Sequence, residues 1–441
     1  MSAPTPPSWP AAEPGVVPDQ TSRPRVSLLE SAFAWLTLYL ATGGGISMLE
    51  FLLRITPPQD VQQGDPFAQR IWSAVYIVAV LLIFLRLPRV VRALPALGSL
   101  WVLLALALVS ITWSFGPSVT LRRSVALLGT MAVGIYLGTR YTREELFRIL
   151  FWMLATITVV SLLAGMFGTG AAGGPGAAWQ GVFGSKNELG HVMALSAATA
   201  ATYFMDPRGR RYWATGTFLL AVALLVLSGS KGALVVLFAG LLIYPLSRLF
   251  RVRPGLTGTA ALAAFAACGV VVTTLAGNSD TVLNLLGRDA TLTGRTPLWA
   301  LIWERIKVRP WLGYGYGGFW LQWNPPSGDI WRVSMMTGGW LPPNGHNGFI
   351  DLWADLGLAG LGAFLVSFAA NVARALRLVR ESASAVDLFP LLFLYLVVLS
   401  NLTESVLVTH NSLIWLLYVA LSIQLGLEAR ASRLPPAPAR T

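Results

Sequence analysis

The stretch PPNGHNGFIDLW, residues 342–353, sets His346 between Asn344 and Asn347 at the start of an apolar run. An imidazole with an ordinary pKa near ~6.5 can take a proton from a hydroxyl around neutral pH. The flanking asparagines could orient the ring or hold a ligand's hydroxyl groups; equally, His346 could simply cap the helix that follows. The chain has three histidines, and the other two, His191 and His410, also fall at the ends of apolar runs. His191 reads as structural, and His410, in the doublet His410-Asn411, as a helix-end or groove residue. Basic residues gather on the same side: Lys186, Lys231 and Lys307, with Arg122, Arg123, Arg288 and Arg295. Any one of these could snorkel or pair with a carboxylate. As a set converging on one face they suit an anionic ligand. Asp351 and Asp355 share a helix face and are expected to pair with outer arginines, as Glu188 is with Lys186.

The elements that must position these groups are membrane helices. Hydrophobic residues make up 55% of the chain and charged residues 12%, with mean hydropathy +0.62; a soluble domain carries about 25% charged residues. The apolar runs have helix length for a ~30 Å hydrocarbon core. Twelve are expected, at 30–52, 70–86, 97–115, 120–139, 146–168, 188–205, 212–229, 232–249, 256–276, 347–371, 387–404 and 411–428, giving an all-α polytopic membrane protein. Residues 1–27 read as a disordered tail rather than a cleaved signal, 28–276 as helices 1–9, 277–346 as one large outer loop, 347–428 as helices 10–12, and 429–441 as a second tail.

Sidedness follows from arginine. Clusters at Arg86, Arg89 and Arg92, Arg140 to Arg148, Arg208 to Arg211, Arg248 to Arg253 and Arg374 to Arg380 fall on alternate loops, and both tails are basic. The positive-inside rule places that side, with both termini, in the cytoplasm. The formal charge of +12 thus reports orientation, and no nucleic-acid partner is expected. A single cysteine, Cys268, allows neither an internal disulfide nor a cysteine metal cluster.

Within the outer loop, TPLWALIWERIKVRP places Trp299, Ile302, Trp303 and Ile306 at helical spacing, as an interfacial helix would. WLGYGYGGFW follows; Tyr314 and Tyr316 could stack on a sugar ring or anchor in the membrane interface. GTGAAGGPG, 168–176, suits a mobile lid beside the site. No Walker, HExxH or GxSxG motif is present, so the energy of any reaction must come from the substrate or an ion gradient.

Three motifs in this order, GVFGSKNELGH (181–191), LGRDATLTGRTPLW (286–299) and PPNGHNGFIDLWADLGLAG (342–360), resemble the O-antigen ligase and polymerase superfamily, and within it the ExoQ-type exopolysaccharide polymerases. The resemblance spans roughly 75–425. It implies a metal-independent glycosyltransferase of the GT-C type in the bacterial inner membrane, with a periplasmic active site and no cofactor. Donor and acceptor would be polyprenyl-pyrophosphate-linked glycans, surrounded by membrane lipids and working beside flippase and chain-length regulator proteins. Carried over by motif, His346 is the essential histidine, and Lys186 and Arg295 hold the pyrophosphate. Arg122, Arg123, Lys231 and Arg288 would add charge around it, and Asn344, Asn347, Asn187, Tyr314, Tyr316, Asp355 and His410 would hold or orient sugar. Polymerisation of repeat units leads; transfer of finished glycan to lipid A-core is the alternative within the class, and anion or solute transport the alternative outside it. His346 could serve as base or as phosphate binder.

Overall fold

The computed structural model describes residues 26–56, 64–167, 178–252, 295–338, 341–382 and 384–431. Most of the expected tails, the expected span 256–276 with Cys268, the glycine-rich stretch 168–176 and Arg288 lie outside the described residues.

The chain folds as helices α1 (Leu28–Ala41), α2 (Gly44–Leu53), α3 (Pro66–Phe84), α4 (Leu87–Ala93), α5 (Leu100–Val109), α6 (Pro117–Arg140), α7 (Arg143–Met166), α8 (Lys186–Met205), α9 (Arg211–Leu227), α10 (Lys231–Leu241) and α11 (Ile243–Val252). Two more, α12 (Arg295–Val308) and α13 (Gly328–Gly338), belong to the outer loop, before α14 (Gly348–Glu381), α15 (Ala385–Asn401) and α16 (Leu413–Ala431). Local signals set several starts. Ser27 with Glu30, and Thr142 with Glu145, form reciprocal capping boxes. Pro66 and Pro117 occupy first turns, where a missing N–H costs nothing.

Among the described residues four helices, α3, α7, α14 and α16, are long and apolar enough to cross a membrane, and six spans result if each bent pair counts as one. Bends are where the structure departs from the hydropathy reading. The run 30–52 is two helices meeting at 88°, and the run 97–115 is the second arm of a pair bent by 89°. Gly43 (φ 82°) and Gly98 (φ 53°) sit at these corners, in a conformation that helices do not use. The expected helix 232–249 divides into α10 and α11, and the expected 347–371 runs on to 381 with a break at Gly357.

α15 and α16 are buried on nearly every side, so they form the centre of the bundle. α16 lies along α6, where Gly134 and Gly138 let the Val419–Ala420 segment approach closely. α8 packs against α9, α10 and α15. At the arginine-rich end, Glu30 binds Arg86 and the buried Arg140, and Arg143 binds Asp387 at 2.9 Å and Glu428 at 2.5 Å. α6 carries Arg140 at this end and Arg122 and Arg123 near its start, about 27 Å away along the axis.

The outer segments pack on α14 as a second small core. α12 buries Leu298, Ile302 and Ile306 with Tyr314, Phe319, Ile330 and Ala354. Of the expected apolar face, Ile302 and Ile306 are core, while Trp303 remains 44% exposed, edge-on to Trp353. The break in α14 is matched by the loop before it. At Gly357 (φ 66°) the helix opens. Ala354 and Asp355 carbonyls accept from the Tyr314 and Gly315 N–H groups at 2.9 and 2.8 Å, and the Leu358 and Ala359 N–H groups donate to Pro310 and Trp311 carbonyls at 2.8 and 3.1 Å. Main-chain groups freed by the break are thus satisfied by the Pro310–Gly315 segment.

Candidate active site

The turn that joins α15 to α16 meets the candidate residues on its two halves. On the first, Glu404 Oε2 lies 3.1 Å from His346 Nδ1, and Glu404 Oε1 accepts from Asn187 Nδ2 at 2.7 Å. One carboxylate therefore ties the first motif to the third. With Glu404 accepting, His346 carries its hydrogen on Nδ1, which assigns Nε2 as the basic nitrogen. Both side chains are largely buried, 14% and 16% exposed. His191 backs this arrangement: its ring nitrogens lie 2.9 Å from the Asn187 carbonyl and 3.3 Å from Thr403 Oγ1.

The backbone around His346 is held from several sides. His346 has φ 49°, a left-handed conformation that costs roughly 1 kcal/mol or more for a residue with a Cβ. Its N–H donates to Asn344 Oδ1 at 2.9 Å. The Gly345 carbonyl accepts from Trp299 Nε1 at 2.7 Å, and the Gly345 N–H donates to Asp351 at 2.9 Å. Asn347, not His346, caps α14, accepting from the Phe349 and Ile350 N–H groups at 3.1 and 3.2 Å. The histidine is thus spared the capping role that the sequence left open, which Asn347 Oδ1 takes.

The second half of the turn faces a cavity of about 440 Å³, which Arg122, Arg123, Asn344, Asp355 and His410 all line. Arg123 Nη1 donates to the Gly317 carbonyl at 2.8 Å. Burial, followed by the charges of Arg123 and Arg122, lowers the His410 pKa to about 3, so this imidazole is neutral at ordinary pH. Asn411 (φ 59°) anchors the turn: its N–H donates to Thr130 Oγ1 at 2.9 Å, and its side chain binds the Tyr76 hydroxyl. The Tyr316 hydroxyl donates to the Val408 carbonyl at 2.7 Å.

Of the other expected residues, Lys186 and Lys231 are the exposed first residues of α8 and α10. Both helix starts meet the 401–405 turn, through Asn187 on Glu404 and Gly232 against Thr403. Arg295 begins α12, one turn ahead of the Trp299 that binds Gly345; its side chain lies outside the described residues. Lys307 pairs with Glu304 at 2.7 Å within α12, apart from the site. Four expectations are corrected. Asp351 is held by the Gly345 N–H and Trp320 Nε1, and Asp355 by the Gly317 and Phe319 N–H groups, so neither forms an ion pair with an outer arginine among the described residues. Glu188 forms no ion pair with Lys186 among them either; its N–H is capped by Ser185. Tyr314 is packed between Phe115 and Phe319, with its hydroxyl on the Arg305 carbonyl. Tyr316 is 5% exposed. Both tyrosines anchor the loop rather than offer a face for stacking. Among the described residues, no group of three or more His, Cys, Asp or Glu side chains could hold a metal ion.

Glu404 was missed from sequence. Its signal was faint: a lone acid in the turn NLTES between two apolar runs. Asp65, which caps α3 through the Phe67 and Ala68 N–H groups and lines the cavity, was missed too.

Residues 216–365 match the family model described as O-antigen ligase. The chain is also similar to the exopolysaccharide production protein ExoQ of Rhizobium meliloti (strain 1021), 29% identical over 261 residues. That alignment covers 58% of this chain and 60% of the relative's length.

Proposed function

We propose that this chain belongs to the O-antigen ligase and polymerase superfamily, as its match and its similarity support, and that it transfers a glycan from a polyprenyl-pyrophosphate carrier to a sugar hydroxyl, lengthening an exopolysaccharide or O-antigen chain. The observation that carries the reading is the Asn187–Glu404–His346 arrangement, which gathers two distant motifs beside the cavity that Asn344 and Ser405 help to line. We place it in a GT-C-type bundle of twelve spans in the bacterial inner membrane, with the site periplasmic.

In this reading the acceptor oxygen attacks C1 of the donor sugar and the C1–O–phosphate bond breaks. The electron pair leaves with the pyrophosphate, and the hydroxyl proton passes to His346 Nε2. The negative Glu404 stabilises the imidazolium as it forms, through the Nδ1–H. Lys186 and Arg295 supply fixed positive charge where the leaving group gains negative charge; removing one such group costs on the order of 10²–10³ in rate, as for oxyanion donors. A single displacement inverts the anomeric centre.

The test is replacement of the gene by wild type or His346→Asn, followed by mass analysis of carrier-linked and surface glycans. Asparagine tolerates the left-handed backbone, so the variant should fold yet leave single repeat units on the carrier. Long polymer stranded on the carrier, with bare acceptor lipid, would indicate ligation instead. Normal glycans with His346→Asn would overturn the proposal.

A further inference from the structure

We propose that the adjoining ends of α7 and α9 hold the headgroup of an anionic phospholipid from the membrane leaflet at the arginine-rich end, with Arg148 and Arg210 on its phosphate and the Trp152–Trp213 pair beneath. The inference needs only a membrane-embedded bundle and stands apart from the transfer reading.

α7 and α9 pack on each other and both start at this end, where Arg208, just before α9, pairs with Glu144 in the first turn of α7 at 2.7 Å. Each helix carries an arginine one turn nearer that end than a tryptophan: Arg148 before Trp152 on α7, and Arg210 before Trp213 on α9. Positions three and four apart share a helix face. The two indoles meet, with centroids 5.6 Å apart and planes at 65°, so both arginines stand over one seam between the helices. Their Cα atoms lie about 4–6 Å nearer the helix starts than those of the tryptophans, and helix side chains lean toward the N-terminus. Indole therefore sits at the depth of an aromatic belt and guanidinium at the depth of lipid phosphate. Arg211 adds a third charge, its guanidinium 5.7 Å from the Phe204 ring centroid. All three arginines are exposed, and among the described residues none of them makes a side-chain hydrogen bond or ion pair. Other arginines of this end are committed inside the bundle: Arg86 and Arg140 to Glu30, and Arg143 to Asp387 and Glu428. The nearby carboxylates are committed as well. Glu144 holds Arg208, Glu145 closes the capping box with Thr142, and Asp206 accepts the Arg208 N–H at 3.0 Å. Glu144, Asp206 and Arg208 line a separate cavity, which none of the three exposed arginines lines. Helix chemistry does not explain Arg210 and Arg211, since positive charge at a helix start opposes its dipole. Chain orientation explains charge at this end, but not its repetition beside tryptophan on two touching helices. Trp213 and Phe204, 57% and 45% exposed, give acyl chains a surface next to the charges, which favours a lipid over free phosphate.

The experiment uses full-length protein in detergent, titrated with phosphatidylglycerol or phosphatidylcholine, with bound lipids counted by native mass spectrometry and the thermal midpoint followed in parallel. Wild type should hold one phosphatidylglycerol more tightly than any phosphatidylcholine, and its thermal midpoint should rise with it. Arg148→Gln and Arg210→Gln should each weaken that lipid about 5-fold, as expected for one arginine at an anionic lipid surface, and the double variant about 25-fold. Thermal midpoints equal to wild type before lipid is added show that the variants fold. Arg377→Gln is the control, an exposed arginine of the same end, on α14, with no tryptophan one turn away; it should leave the tight lipid in place. Equal weakening by Arg377→Gln and Arg148→Gln would overturn the inference, as would equal affinity for the two lipids. Displacement of the tight lipid by an equal concentration of inorganic phosphate would overturn it too, since the seam would then read the free anion alone. The transfer reading is untouched by any of these results and fails separately if His346→Asn makes normal glycan.

Discussion

Glu404→Gln is the substitution that tests the proton-transfer reading most directly. Glutamine keeps the length of the side chain and one oxygen, so Asn187 or His346 retains an acceptor, but the negative charge is gone. At the observed 3.1 Å and an effective dielectric near ~20, carboxylate and imidazolium attract by about 5 kcal/mol. Part of this is lost to solvent, since both side chains keep some exposure, and part is recovered by the glutamine hydrogen bond. A net loss of about 2–3 kcal/mol remains, or roughly a 30- to 150-fold fall in kcat. The charge on the imidazole develops only as the reaction proceeds, so KM should change little. Turnover of a carrier-linked repeat unit by protein reconstituted in proteoliposomes would measure this, with the thermal midpoint in detergent as a control. A Glu404→Gln enzyme that keeps kcat within threefold of wild type, at unchanged stability, would refute the role assigned to the carboxylate.

Three further outcomes are expected. Gly357→Ala should lower the thermal midpoint strongly, because φ 66°, ψ −170° is closed to residues with a Cβ and the added carbon would lie about 2.1 Å from the Trp311 carbonyl; thermal unfolding with unchanged expression would check it. Lys186→Arg should retain most transfer activity and Lys186→Gln should lose on the order of 10²–10³ in rate, read in the same proteoliposome assay. His410 has a folded pKa below its unfolded one, so the unfolded chain binds the extra proton and stability falls as pH drops from about 6.5 toward 3, by about 2 kcal/mol at pH 5; His410→Gln should flatten that part of the pH–stability curve.

Legibility in the sequence followed physical range. Apolar length showed the helices, and the motifs marked His346, Lys186 and Arg295 as candidates, because both are written locally. The corners at Gly43 and Gly98 were not legible, since a single glycine hardly changes the hydropathy of a twenty-residue window. Glu404 was hidden for a different reason: its partners, His346 and Asn187, lie 58 and 217 positions away along the chain. The roles of Asp351 and Asp355 were misread because their partners are main-chain and indole N–H groups, which sequence does not mark.

The break at Gly357 bears on how the protein is made. A span entering lipid with unmet main-chain groups is penalised by several kcal/mol for each of them, and α14 has four such groups at its opening, besides two carboxylates on its outer half. The segment that satisfies them, Pro310–Gly315, precedes α14 in the chain and leaves the translocation machinery first. In the proposed orientation, α14 can therefore settle only against a loop that has already crossed. Insertion of this helix is then a late, template-dependent event in biogenesis, and shortening the loop should be felt first as failed assembly, before any question of catalysis arises.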